Sequence, residues 1–180
     1  MVSRPATGFA PLADLKDQTV RSVLDHGAKQ HPDRVFAIFP ETHTKVTWEE
    51  QRQTAARLGP HLINSGVSDG EAVGMLMANG RTALELFLGC MYSKRVSLML
   101  NAVAGIDTLG YVIEHSGIRH LFADDGHADL ASAAVIASRQ QVKVHRVAGD
   151  SGLQLPDTQN HQDADPPRSA DDALLIYTSG

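Results

Sequence analysis

Several common features are missing from this sequence, and each absence narrows its class. There is one cysteine, Cys90, so an internal disulfide is excluded and a reducing compartment is favoured. Because Cys90 lies in an apolar stretch, a buried core residue is a simpler interpretation than a catalytic thiol. No apolar run approaches the roughly 20 residues that cross a bilayer, and residues 1–11 lack the continuous apolar core of a signal peptide. We therefore expect a cytoplasmic protein without a transmembrane segment.

Three kinds of binding site also lack their signatures. Lys and Arg total 16 against 21 Asp and Glu, the net charge is -5, and no basic run is present, so nucleic acid is not an expected partner. The nine histidines include no His-Glu-x-x-His, and His26/His31 and His115/His120 are five residues apart, which does not align them on one helical face. We predict no metal site. The absence of Gly-x-Gly-x-x-Gly argues against an NAD enzyme.

The 180 residues, 42% of them hydrophobic, are enough for one well-packed core. Thr47-Trp48-Glu49-Glu50 is a capping box that opens a helix. Apolar spacing predicts helices over 19–28, 47–65, 82–92, 106–116 and 128–138, and strands over 35–39, 72–77, 96–100, 119–123, 143–147 and 173–177.

From Ala72 onward, strands and helices alternate along the chain. This order predicts an α/β fold with a doubly wound, mostly parallel sheet flanked by helices, in which ligands bind beyond the carboxyl ends of the strands. We divide the chain into a tail over 1–18, an α/β unit over 19–148, a polar surface linker over 149–171, and a strand with the start of a phosphate-holding loop over 172–180.

Four loops could carry chemistry, and each has a plainer structural interpretation. Asp124-Asp125-Gly126 could meet a ribose or form an ordinary turn, and Asn79-Gly80-Arg81 could contact phosphate or cap a helix. Lys94-Arg95 is explained by a contact with a helix dipole. Tyr177-Thr178-Ser179-Gly180 follows a predicted strand, and its hydroxyls and glycine suit either a turn or a loop that closes backbone N–H groups on phosphate oxygens.

Three separated segments resemble the N-terminal part of the adenylate-forming enzymes, the acyl-CoA synthetases and their relatives. Residues 46–50, Val-Thr-Trp-Glu-Glu, are similar to that family's early Thr-Tyr-x-Glu segment. Residues 88–117 resemble a stretch with a Gly-Ala step, a Pro-Leu-Asn strand end and a helix ending in Ser-Gly, although Arg95 and Met99 stand where the family usually has Gly and Pro. Residues 175–180, Leu-Ile-Tyr-Thr-Ser-Gly, match the opening of the signature loop, which continues Thr-Thr-Gly-x-Pro-Lys in complete members.

The resemblance implies an ATP-dependent acid–thiol ligase that activates a fatty or aryl acid as an acyl-adenylate and transfers it to CoA, with ATP, Mg²⁺ and CoA bound by the parent enzyme. Thr178, Ser179 and Gly180 would form the near half of the loop that holds the ATP phosphates. The family's catalytic residues and metal ligand lie downstream of this loop, so no catalytic residue is assigned here and we expect a fragment that is inactive and binds no cofactor tightly by itself.

Two alternatives remain open at the level of sequence. The chain could be a noncatalytic binding or dimerisation module derived from such an enzyme, and a homodimer is possible in either case. The adenylation step could also load a carrier protein in place of CoA.

Overall fold

The computed structural model describes residues 18–155 and 164–178 of the chain. Five α-helices lie in this part: α1 (Val20–Gln30), α2 (Trp48–Asn64), α3 (Arg81–Tyr92), α4 (Ile106–Ser116) and α5 (Ala128–Ser138). Seven strands accompany them: β1 (Val35–Phe39), β2 (Thr44–Thr47), β3 (Ala72–Leu76), β4 (Val96–Met99), β5 (His120–Asp124), β6 (Lys143–Val147) and β7 (Leu174–Leu175). No helix among the described residues is long and apolar enough to span a membrane.

Residues 20–64 form a unit of two helices and a hairpin that packs on one face of the main sheet. β1 and β2 pair antiparallel, and β2 runs directly into α2 through the predicted capping box. The Glu50 carboxylate accepts the Thr47 N–H at 2.7 Å, while the Thr47 hydroxyl accepts the Glu50 N–H at 3.3 Å. α1 packs closely on α2 because Gly27 lies against the Trp48 ring, where a Cβ atom would clash.

The remaining strands form a parallel sheet in the order β6-β5-β3-β4-β7. Alternate strand residues point to opposite faces, and both faces are covered. On one face Leu76, Leu98 and Leu121 pack against α4 and α5. On the other, Val73, Met75 and Phe122 pack against α2 and α3. The predicted doubly wound α/β fold is confirmed.

Cys90 lies within the core on the α3 side. Burial raises the pKa of its thiol to about 12, so the sulfur stays protonated and unreactive at neutral pH. The interpretation of Cys90 as a core residue is confirmed.

The turn between α3 and β4 differs from the sequence interpretation. Lys94, and not Arg95, adopts the left-handed conformation that favours glycine, with φ of 62°. Arg95 is only 1% exposed. Its guanidinium donates to the carbonyls of Ser93 and Val67 and pairs with Asp69 at 3.1 Å. Because Ser93 is the C-cap residue of α3, the bond to its carbonyl agrees with the expected contact with the helix dipole, and Arg95 is also a buried anchor of the turn.

Residues 148–155 and 164–173 connect β6 to β7 across the helices of one face, and we call them the strap. Ala148 accepts a hydrogen bond from the Thr82 hydroxyl at 2.7 Å, and the Leu153 N–H donates to the Glu85 carboxylate at 2.6 Å. Farther along, the Ala164 carbonyl accepts from Arg21 at 3.1 Å. The polar composition did not predict this packing, which results from hydrogen bonds to α1, α2 and α3 and from contacts of Leu153 and Leu155 with the core. β7 itself is shorter than the predicted strand over 173–177.

Candidate functional site

All five strands of the parallel sheet end at one edge, which is where ligands bind in doubly wound folds. The chain leaves β3 through α3 on one face and leaves β4 through α4 on the other. Because β3 and β4 are neighbours, the loops that follow them diverge and leave a crevice between them. An apolar pocket of about 490 Å³ opens beside this point, and its lining includes Gly80, Phe87, Met99 and Phe39 of the hairpin.

β7 delivers the predicted phosphate loop to this same edge. β7 is parallel to β4 and adjacent to it, and the chain continues from β7 through Ile176 and Tyr177 to Thr178, whose side chain is exposed. Ser179 and Gly180 lie outside the described residues. Of the three predicted phosphate-binding residues, the structure thus describes Thr178, at the edge where an anionic ligand is expected.

Tyr177 is fixed just before this point. Its hydroxyl lies 2.7 Å from Nδ1 of His115 on α4, and the two rings meet edge to face with centroids 5.6 Å apart. Burial is the main factor that raises the pKa of Tyr177 above its usual value, so the phenol remains protonated at neutral pH. Sequence reasoning missed this contact, because residues 62 positions apart share no local pattern.

Asp124 is not available to a ribose. One carboxylate oxygen accepts the Ala78 N–H at 2.9 Å, and the other accepts the His127 N–H at 2.9 Å and lies 2.6 Å from His127 Nδ1. Burial acts to raise the pKa of Asp124, but these hydrogen bonds and the nearby His127 outweigh it and hold the pKa below its usual value. The carboxylate instead clamps the loop after β3 to the loop after β5, which supports the interpretation as a structural turn.

In the Asn79-Gly80-Arg81 loop, the Arg81 side chain is likewise committed to an internal contact. Arg81 donates to the Glu85 carboxylate at 2.6 Å, and Glu85 is only 1% exposed. The N-cap residue of α3 is Gly80, as the capping interpretation of this segment expected, although no side chain makes a capping hydrogen bond. Glu85, which joins α3 to the strap, was also missed by sequence reasoning. The only sign of its role in the sequence is that it is a charged residue among the apolar residues of α3.

Two histidines lie together on β5 and β6, on the other side of the sheet from β7. His120 of β5 and His145 of β6 stack with ring nitrogens 3.0 Å apart, and His145 also stacks on Phe122. Burial, followed by the neighbouring charges of His120, Lys143 and His61, lowers the pKa of His145 to about 4. Within residues 18–155 and 164–178, no group of three or more His, Cys, Asp or Glu side chains is arranged to hold a metal ion.

Comparisons with known proteins agree with this geometry. The family model described as "AMP-binding enzyme" matches residues 24–180. Sulfoacetate–CoA ligase of Cupriavidus necator is 29% identical over 165 residues, covering 90% of this chain and 32% of that protein. A hybrid PKS-NRPS synthetase of Aspergillus violaceofuscus is 27% identical over 149 residues, covering 82% of this chain and 4% of that protein.

Solved structures share the fold. A crystal structure described as that of a long-chain-fatty-acid CoA ligase from Rhodopseudomonas palustris superimposes with a TM-score of 0.76 at 21% identity, covering 92% of this chain and 43% of that one. The chain thus spans about a third of the length of the sulfoacetate ligase and less than half of this structural neighbour.

Proposed function

Since the chain belongs to the family of AMP-binding enzymes, we propose that its protein is an ATP-dependent acid–thiol ligase. The reaction joins a carboxylic acid, of the fatty or aryl class, to AMP and then passes the acyl group to CoA. The observation that carries this proposal is the placement of Thr178 shortly after β7, beyond Ile176 and Tyr177, at the carboxyl edge of a doubly wound parallel sheet. The CoA ligases among the relatives support the choice of acceptor.

The adenylation step places specific demands on the site. The substrate carboxylate attacks the α-phosphorus of ATP, the bond to the bridging oxygen breaks, and pyrophosphate leaves. Negative charge on the phosphoryl oxygens must be stabilised by positioned N–H groups, hydroxyls and cations. Thr178 supplies an exposed hydroxyl for this purpose, and in the proposal the backbone of Ser179 and Gly180 continues the same loop.

The described residues fit one end of the nucleotide site. Thr178 suits a phosphate oxygen, because its hydroxyl is exposed and it follows a strand at the correct edge. The carboxylate of Asp124 is occupied by Ala78 and His127, and the described residues hold no metal-ion group. We therefore propose that the ligands of Mg²⁺ lie elsewhere in the protein and that residues 1–180 alone do not catalyse adenylation.

Reading the gene beyond Gly180 is the first test. We expect a second glycine and a lysine within the next several residues, because the triphosphate needs further N–H donors and a cation. A frame that continues without them would contradict the ligase. A stop codon directly after Gly180, with cooperative folding of the expressed chain, would support the noncatalytic module in its place.

Exchange of labelled pyrophosphate into ATP tests the chemistry itself. The protein encoded by the whole reading frame should show exchange that depends on a fatty or aryl acid, and residues 1–180 alone should show none. Thr178→Val, which removes the hydroxyl at nearly constant volume, should lower kcat/KM for ATP by about tenfold, since hydrogen bonds to charged groups are the stronger ones. Thr42→Val, at an exposed threonine of the hairpin, is the matched control and should leave exchange unchanged.

The acceptor is a separate question with a second candidate. The similarity to a PKS-NRPS synthetase supports a carrier-protein thiol as the alternative to CoA. Supplying CoA or a phosphopantetheine-loaded carrier protein after adenylation distinguishes them. Thioester formation with CoA alone is the expected result.

A further inference from the structure

β7 is poorly fixed by its own hydrogen bonds. Only Leu174 and Leu175 pair with β4, opposite Ser97 and Leu98. Apolar burial also contributes little along this segment, because the Leu174 side chain is 42% exposed and the Ile176 side chain is 66% exposed. The sheet alone therefore does not determine where the chain goes after Leu175.

Tyr177 supplies the constraint that the sheet lacks. Its ring packs against the core cluster under α4 and α5, and its hydroxyl makes the 2.7 Å contact with His115 Nδ1. The edge-to-face arrangement of the two rings, at 89°, adds a preferred aromatic geometry. His115 is in turn flanked by the Tyr111 ring, with centroids 5.5 Å apart.

His115 is a firm anchor because α4 is held along its inner face. Leu109, Val112 and Ile113 are buried in the same core cluster that Tyr177 contacts. The helix ends one residue after His115, at Ser116, and Gly117 closes it in the left-handed conformation. The contact thus joins a packed helix to the residue directly before Thr178.

We propose that His115 is a positioning residue for the phosphate-holding loop: by binding Tyr177, it fixes the strand end that presents Thr178 to the nucleotide. The expected effect on nucleotide binding rests on the proposed function, but the contact between Tyr177 and His115 is present in the fold whatever the function. The Tyr177 hydroxyl and His115 Nδ1 share one hydrogen bond. Because Tyr177 is one residue from Thr178, a small displacement of the Tyr177 ring also moves the backbone of Thr178.

The experiment removes each half of the contact separately. Tyr177→Phe deletes the hydroxyl and keeps the ring, and His115→Leu deletes the acceptor. His115→Asn is the conservative rescue, because the Asn amide atoms are attached to Cγ as Nδ1 is. Glu114→Gln, at the exposed neighbour on α4, is the matched control. All variants are measured by ¹⁵N relaxation of the backbone amides and, in the protein of the whole reading frame, by ATP–pyrophosphate exchange.

Tyr177→Phe and His115→Leu should each lower the order parameters at Tyr177 and Thr178 from a rigid value of about 0.85 to below about 0.6. Each should also raise KM for ATP about fivefold, in proportion to the loss of one hydrogen bond of ordinary strength, without changing KM for the acid. The double variant should be no worse than either single variant, because both remove the same contact. His115→Asn should recover most of the loss.

Order parameters and KM for ATP that stay at wild-type values in both single variants would overturn the proposal. So would lower order parameters with an unchanged KM for ATP, since the contact would then stabilise only the strand end. If the wild-type protein forms no adenylate but the order parameters respond as expected, the proposed ligase fails while the positioning contact stands. If adenylate forms and neither variant affects it, the ligase stands and the role of His115 fails.

Discussion

The two outermost strands of the sheet are held in different ways. β6 pairs with β5 along five residues and is reached through α5. β7 pairs with β4 at two residues and is reached through the strap, which forms no helix in its described residues. β6 is thus fixed by the sheet itself and by the stacking of His145 on Phe122, whereas β7 depends on contacts outside the ladder. The outer strand that leads to the candidate phosphate site, β7, is therefore held by fewer backbone hydrogen bonds than β6.

Substitution of a buried residue on β4, next to β7, should cause the largest loss of stability. Leu98 of β4 is completely buried in the core cluster under α4 and α5. Leu98→Ala should lower the free energy of unfolding by about 3 kcal/mol, from lost apolar burial and the cavity left behind. Urea denaturation measures it. A loss below about 1 kcal/mol would mean that this part of the core relaxes around the cavity and that the contrast with the exposed edge is overstated.

Substitution of Glu85, which holds the strap, should cause the next largest loss of stability. Both oxygens of the buried Glu85 carboxylate accept hydrogen bonds, one from Arg81 and one from the Leu153 N–H. Glu85→Gln places an amide donor against one of these donors and should cost about 2 kcal/mol. Glu41→Gln, at an exposed glutamate, should be neutral in the same denaturation experiment. Equal effects of the two substitutions would show that the strap is not held by Glu85.

The β6 edge should respond to pH through His145. The pKa of His145 is about 4 in the folded protein, against 6.5 for the ordinary side chain. The folded state therefore binds fewer protons than the unfolded chain between these values, and the free energy of unfolding should fall as pH is lowered from about 6.5 towards 4, by at most about 1.4 kcal/mol per pH unit from this group. His120 and His61 contribute with the same sign, because burial lowers the pKa of both.

His145→Phe keeps the stack on Phe122 and removes the titration, so its stability should fall less steeply with acid than that of the wild type. Urea denaturation at several pH values from 7 to 4.5 measures the slope. His26→Gln, at an exposed histidine of α1, is the control. Parallel curves for His145→Phe and the wild type would contradict the assignment.

Substitution of an exposed residue on β7 should cause the smallest loss of stability. Leu174 is 42% exposed in a strand of two paired residues, so Leu174→Ala should cost only about 0.5 kcal/mol, since little apolar surface is removed from water. The comparison with Leu98→Ala uses the same chemical change on neighbouring strands. If the two substitutions cost the same, β7 is an integral strand and the distinction between the two edges is lost.

Local signals predicted the main elements of the fold. The Thr47–Glu50 capping box and the glycine after α4 were readable because both partners lie within a few residues of each other. The order of strands and helices gave the parallel sheet, since a parallel pair requires a crossover. These features depend on periods and caps, which the sequence displays directly.

The contacts between residues that are far apart in the sequence were not predicted. Glu85 reaches Leu153 across 68 positions and Asp124 reaches Ala78 across 46, so neither pairing leaves a local pattern. Arg95 is a charged side chain whose burial depends on carbonyls that only the folded chain brings near it. The sequence placed Thr178 after a strand at the carboxyl edge, but the length of that strand and its attachment to His115 required the three-dimensional structure.

The pairing of β7 with β4 also bears on the order in which the molecule folds. Between these two strands the chain must first build α4, β5, α5 and β6 and then lay the strap across α3. Closing so long a loop costs conformational entropy, and the two residue pairs that β7 forms with β4 offset little of it. We expect β7 to join last during folding and to detach first under denaturant, which makes the arrival of Tyr177 at His115 a marker for the final step of assembly.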